Sequence, residues 1–241
     1  MYGDCHLGNP DCFFLPISNC TAPKTVDGIQ TVSIDAVFGG WTRSVGLNIF
    51  KNKTFNWYRS QLIFYLTRYN NRTMTNVQNS LIQNLHSPSL SVYRPYVAIF
   101  VRRSDKVQSR EMSKAFDLSD YFNLFDNDTR RVNITTIYLN SEEPKVFEEF
   151  SILNNAIGNR YKLLKIDMKR NVVFRTLLKM SQKQRGEIIL DFLTDLFIEV
   201  HADLHSGTLS SNWCRLVDEL RLVLGKTIPF YTPEKQFFME A

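Results

Sequence analysis

The sequence predicts an α/β fold: a parallel sheet with helices on both faces. Three observations carry this prediction. From Tyr96 onward, short apolar runs alternate with amphipathic segments at helical spacing, joined by short polar loops. The clearest run, Val97 to Val101, is apolar at every position, as in strands buried on both faces. It ends abruptly in Arg102-Arg103-Ser104-Asp105-Lys106, and the carboxyl end of a strand is where open α/β sheets place their ligands.

Taken in order, residues 1–45 read as irregular, rich in Gly, Pro, Asn and Cys. Residues 54–68 are helical by period, with Trp57, Gln61, Leu62, Tyr65 and Leu66 near one face and Thr54 as a candidate N-cap. A second amphipathic helix follows over 74–85 and stops at His86-Ser87-Pro88. Pro95 marks a boundary, so the chain divides into 1–95 and 96–241. In the second part come the strand 97–101, a helix around 118–125, a strand over 134–139, a helix over 145–153 and a strand over 161–166. An apolar helix over 188–200, a short segment over 202–207 and a helix carrying Trp213, Leu216, Val217, Leu220 and Val223 complete the pattern. Gly225 suits the C′ position of that last helix. The second part is therefore read as Rossmann-like.

The chain has 241 residues, enough for one large or two small domains with a sizeable core. A formal charge of +5 with scattered Lys and Arg suits a small anion at a local site better than a nucleic-acid track. No apolar run is long enough to span a membrane, and the first residues do not resemble a signal peptide. Sequons at Asn19, Asn52, Asn71, Asn127 and Asn133, with Cys5, Cys12 and Cys20 clustered near the start, point to a lumenal protein whose targeting segment lies outside this chain. Zinc competes for the cysteines, but no CxxC pair or neighbouring histidine cluster supports it.

GxGxxG, Walker A, GxSxG and HExxH are all absent, which removes the common dinucleotide, NTPase, serine hydrolase and zinc protease signatures. His201 and His205 have i,i+4 spacing, but a break into strand falls between them, and no metal site is expected. Arg102 and Arg103 suit a doubly charged anion because guanidinium grips phosphate oxygens bidentately; a salt bridge or a solvated turn is the alternative. Glu142-Glu143 before Pro144 could accept hydrogen bonds from a sugar or base, or simply complement a helix dipole. Ser210-Ser211 at a helix start offer hydroxyls and free N–H groups to a phosphate, or serve as plain caps. Two anion-suited sites at strand ends make a nucleotide-binding cleft the reading to test.

Three segments resemble motifs of one family. They are Val101-Arg102-Arg103-Ser104-Asp105-Lys106-Val107, Tyr138-Leu139-Asn140-Ser141-Glu142-Glu143-Pro144, and Thr208-Leu209-Ser210-Ser211-Asn212-Trp213-Cys214-Arg215. They are similar to the α1,6-fucosyltransferases that core-fucosylate N-glycans, glycosyltransferase family 23. Trp57-Tyr58-Arg59-Ser60-Gln61, Tyr65-Leu66-Thr67-Arg68 and Phe14-Leu15-Pro16-Ile17-Ser18-Asn19-Cys20-Thr21 extend the resemblance upstream. It implies a GT-B-like, inverting, metal-independent Golgi enzyme. Such an enzyme moves fucose from GDP-fucose to the innermost N-acetylglucosamine of an N-glycan, with no nucleic-acid or membrane contact from this chain. By position, Arg102 and Arg103 would hold the donor's phosphates, with Asp105, Asp195, Ser210 and Ser211 also on donor-site positions. Glu142 and Glu143 stand where the family has two aspartates.

The departures from the family pattern bear on turnover. The glutamate expected as base aligns with Arg110, and Glu111 comes one position later, so Glu111 with Lys106 is the candidate catalytic pair. The histidine before the arginines is Phe100, and the cysteine that would partner Cys214 is replaced by Gly207. The chain would start inside the family's first catalytic half and stop before its SH3-like domain, as a fragment or a reduced member. An inactive relative that binds GDP-sugar or glycan without transfer is the alternative, and a secreted interaction domain keeping only the fold is a third reading.

Overall fold

The computed structural model describes residues 12–16, 55–103, 115–168, 174–226 and 230–234. Five parallel strands form one sheet in the order β3-β2-β1-β4-β5. They are β1 (Tyr96–Val101), β2 (Thr136–Ser141), β3 (Lys162–Leu164), β4 (Leu204–Ser206) and β5 (Phe230–Tyr231). The predicted α/β class and Rossmann-type parallel sheet are thus observed. The helices are α1 (Phe55–Leu66), α2 (Asn71–Leu85), α3 (Leu118–Arg131), α4 (Lys145–Ala156), α5 (Phe174–Lys179), α6 (Gln182–His201) and α7 (Asn212–Val223).

Strand β1 is central and buried at all positions, as its uninterrupted apolar run requires. Alternation sends its side chains to opposite faces. Val97, Ile99 and Val101 pack with Ile137, Leu139 and Leu204 under α3 and α4, meeting Leu118, Phe122, Phe125, Val146 and Phe150. Tyr96 and Ala98 pack with Tyr138 against α2 and α6, meeting Val77, Leu81, Leu85 and Ile198. The helix α2 that precedes the sheet in sequence therefore shares its core. A smaller cluster joins α6 to α7 through Leu196, Val200, Val217 and Leu220, with Ile63 of α1 against it.

The structure corrects several boundaries. Helix α6 starts well before 188, because Ser181 and Gln184 form a reciprocal capping box. Helix α2 starts at Asn71, where the Asn70 side chain accepts the Thr73 N–H at 2.8 Å. Strand β2 begins after Asn133, whose φ of 53° turns the chain, and it continues through Asn140 and Ser141 because both polar side chains find partners inside. The run 161–166 yields strand only over Lys162–Leu164, and the short segment after His201 contains β4. Neither α5 nor β5 is predicted by the sequence. The candidate cap Thr54 lies outside the described residues. Cys12 is disulfide-bonded. The sequon residues Asn71, Asn127 and Asn133 are all exposed. Among the described residues no helix is long and apolar enough to cross a membrane.

Candidate functional site

The strand order reverses between β1 and β4: the chain runs outward through β2 and β3, then returns to the other side of β1. At such a reversal the loops leaving neighbouring strands part, and a crevice opens at their carboxyl ends. The register aligns Ile99 with Ser206. The arginines after β1 and the serines after β4 consequently leave adjacent strands at the same edge, although they are distant in sequence.

Strand β1 delivers Arg102 and Arg103 into different surroundings. Arg102 is half-buried and pairs with Glu142 at 2.5 Å, both side chains about a fifth exposed at 19% and 18%. Arg103 is buried. Its guanidinium takes both oxygens of Glu149 on α4, at 2.8 and 2.9 Å, and its Nε donates to the Phe116 carbonyl at 2.9 Å. The hydrogen bond with Glu149 holds the guanidinium above its usual basicity and the carboxylate below its usual range. Of the two arginines, Arg102 is the one whose pairing is exposed enough to be exchanged. Glu142 also accepts the Arg103 backbone N–H at 3.4 Å, so it serves as the arginine loop's internal anion. Glu143 donates its N–H to Ser141 Oγ at 3.1 Å and heads into α4.

Strand β4 delivers the loop that enters α7. Ser211 occupies the N-cap position with extended backbone, yet its hydroxyl makes no capping bond to the helix. It is engaged with the buried Cys214 thiol instead, as is the Thr208 backbone. Ser210 is exposed and already carries an anion. The Glu234 carboxylate, from just beyond β5, accepts the Ser210 N–H at 3.1 Å and also its hydroxyl. Behind this loop, the hydroxyls of Ser206 and Thr208 are buried without a hydrogen-bond partner. A Cβ at Gly207 would stand 2.5 Å from Cys214 Sγ, so the backbone at this position approaches the thiol more closely than any side chain allows. Cys214 is a free thiol, and burial pushes its pKa far up.

Asp195 is buried on α6 and accepts the Tyr138 hydroxyl. One turn later on the same helix, Glu199 gathers Asn140, His205 and Trp213 around its carboxylate. Sequence reasoning missed this cluster and the role of Glu234. The signal for Glu199 was an acid within an apolar helix, four residues beyond Asp195. Phe100 closes over the cluster, its ring 5.9 Å from that of Trp213, and Phe192 lies on Trp213 at 6.2 Å. His201 bonds to the Phe197 carbonyl within α6, so the two i,i+4 histidines have separate partners. Among the described residues no His, Cys, Asp and Glu group could hold a metal ion. Asp105, Lys106, Arg110 and Glu111 lie outside the described residues.

The family described as alpha-(1,6)-fucosyltransferase N- and catalytic domains matches residues 44–227. Among solved structures, the apo form of POFUT1 aligns with a TM-score of 0.46 at 14% identity, covering 72% of this chain and 49% of that one. POFUT1 in complex with GDP-fucose aligns with a TM-score of 0.46 at 13% identity, covering 72% and 48%. The chain thus spans about half the length of the solved structures it matches, at 49% and 48%. No curated protein sequence matches it.

Proposed function

The chain belongs to the family of alpha-(1,6)-fucosyltransferase N- and catalytic domains, and from that premise we propose that it binds GDP-fucose at the β1/β4 edge and transfers the fucose. The observation that carries the reading is Glu234: a carboxylate seated on the Ser210 N–H and hydroxyl marks the loop before α7 as an anion seat. Arg102 leaves the neighbouring strand at the same edge and exchanges Glu142 for a donor phosphate. Arg103, braced by Glu149, fixes the loop that carries Arg102. Ser210 supplies its N–H and hydroxyl from the other side. The Ser211 N–H, expected to be free, donates to the Thr208 carbonyl at 3.0 Å, so Ser211 shapes the turn behind it, with Asp195 deeper in the crevice.

The reaction in this reading is a displacement at the fucose anomeric carbon. The acceptor hydroxyl oxygen forms the new bond as the bond to the diphosphate breaks, and GDP leaves with the electron pair. The Arg102 guanidinium stabilises the departing charge, and no metal is required in this reading. Glu111 takes the acceptor proton, and Asp105 and Lys106 organise the donor loop. The acceptor is the 6-hydroxyl of the innermost N-acetylglucosamine of an N-glycan, reached with inversion in a GT-B-like enzyme of the Golgi lumen. Neither nucleic acid nor membrane is a partner of this chain. One observation favours a second reading, a relative that binds GDP-sugar without transfer: Arg110 holds the position expected of the base.

Calorimetric titration of the chain with GDP and then GDP-fucose, with chelator in place of metal, tests the reading. Arg102→Ala is expected to weaken GDP binding by about 10- to 100-fold, the worth of a charge-assisted contact. Equal binding by wild type and variant overturns the phosphate assignment. Binding without turnover on an N-glycopeptide selects the second reading.

A further inference from the structure

Glu199 is fully buried on α6, and the donor chemistry above does not use it. Its Oε1 accepts Asn140 Nδ2 at 2.7 Å, its Oε2 lies 3.0 Å from His205 Nε2, and both oxygens lie 3.1 Å from Trp213 Nε1. These partners come from three different elements that border the crevice. Asn140 on β2 stands next to the Ser141-Glu142 turn that holds Arg102. His205 on β4 precedes the Gly207 to Ser211 loop. Trp213 is in the first turn of α7, two residues past Ser211. Burying a carboxylate costs several kcal/mol unless fixed donors repay it, and the donors it engages are held in place in return. Phe100 and Phe192 both pack tilted against the Trp213 ring, so the indole is held by the two rings and at its nitrogen by Glu199.

We propose that Glu199 is a positioning residue for the donor diphosphate: through Trp213 it fixes the first turn of α7 and with it the N–H and hydroxyl of Ser210, whose loop is closed by the Ser211 N–H on the Thr208 carbonyl at 3.0 Å. The inference rests on the donor reading above. The groups that face Glu199 are His205 from β4, Asn140 from β2, Tyr96 from β1, and Trp213, Cys214 and Arg221 from α7, with Asp195 one turn back on α6. Burial pushes the Glu199 carboxyl up to about 7, against the hydrogen bonds from Asn140 and Trp213 and the charge of Arg221. Burial, with Arg221 adding to it, pushes His205 down to about 3, so the imidazole is neutral. When Glu199 takes a proton, its O–H donates to His205 Nε2, the imidazole proton moves to Nδ1, and the Trp213 N–H loses its charged acceptor. Donor affinity therefore rises as pH rises through about 7.

The test is calorimetry with GDP-fucose, whose diphosphate is esterified at both ends and keeps its charge across this range, between about pH 5.5 and 8.5. Wild type is expected to bind several-fold tighter at the upper end. Glu199→Gln and Trp213→Phe, checked for folding by thermal melts, are expected to bind about tenfold more weakly and without the pH step. A purely structural role for Glu199 lowers the melting temperature but leaves the step in place, and that result overturns the proposal. A wild type that binds GDP-fucose with no step near neutrality overturns it without any variant. A wild type that binds no GDP-fucose at any pH overturns the donor reading itself, and this inference with it.

Discussion

The two edges of the sheet handle charge in opposite ways. At the amino edge of the strands, Arg94 pairs with Asp203 through Nε at 3.1 Å, and the Tyr96 N–H donates to the same carboxylate at 2.9 Å. Buried Arg221 donates to the carbonyls of Ala202 and Asp203 at 2.6 and 3.3 Å, and Lys226 to those of His201 and Ala202 at 2.5 and 3.0 Å. These cations close the carboxyl end of α6, where the helix leaves its last carbonyls unpaired. Their partners are backbone atoms and a carboxylate locked to the start of β1. At the carboxyl edge, Arg102 and Ser210 are matched instead by the partly exposed side chains of Glu142 and Glu234, and the Ser206 and Thr208 hydroxyls are buried without partners. The lesson is that permanent and exchangeable pairings look alike in a list of contacts. They differ in whether the acceptor is itself held in place, as a backbone carbonyl or as a carboxylate tied to the scaffold.

That contrast can be broken from either side. Removing Arg221 attacks the permanent edge: Arg221→Met is expected to cost about 3 kcal/mol in urea unfolding, because buried carbonyls lose charged donors. GDP affinity of the folded variant falls near neutral pH, because Glu199 loses a charge that favours its ionised form. A cost below about 1 kcal/mol means that the amino edge is not locked as described. Arg103 belongs to the carboxyl edge but is paired like the amino one. Arg103→Met is expected to cost about 2 kcal/mol by the same assay, whereas Arg102→Met costs next to nothing. Equal costs for the two arginines erase the distinction between brace and ligand. The smallest effect belongs to the internal anion. Glu234→Gln removes a charge that competes for Ser210 and is expected to tighten GDP binding by roughly threefold, with no change in stability. Weaker binding in that variant makes Glu234 part of the donor site, not its stand-in.

Much of the site was legible locally. The charged break after an apolar run located Arg102 and Arg103 at a strand's carboxyl end, and the same reasoning placed Ser210 and Ser211 at a helix start. Gly225 closes α7 with φ at 72°, as a C′ glycine should. The division of labour between the arginines was not legible, since Glu149 reaches Arg103 across 46 residues. Nor was the extension of β2, because Asn140 reads as a strand breaker until Glu199, 59 residues on, is seen to receive it.

What the sequence determined by itself is therefore the kind of each long element and the edge at which its chemistry emerges. Both follow from periodicity and from the polarity of neighbouring residues, which act within a turn or a strand. What only the tertiary structure decided is which charges are already spent. The strand order sets β1 beside β4, and the packing of α6 over the sheet brings Glu199 under Trp213. Such pairings join residues far apart in the chain, and their energy depends on burial and distance, which no local pattern encodes.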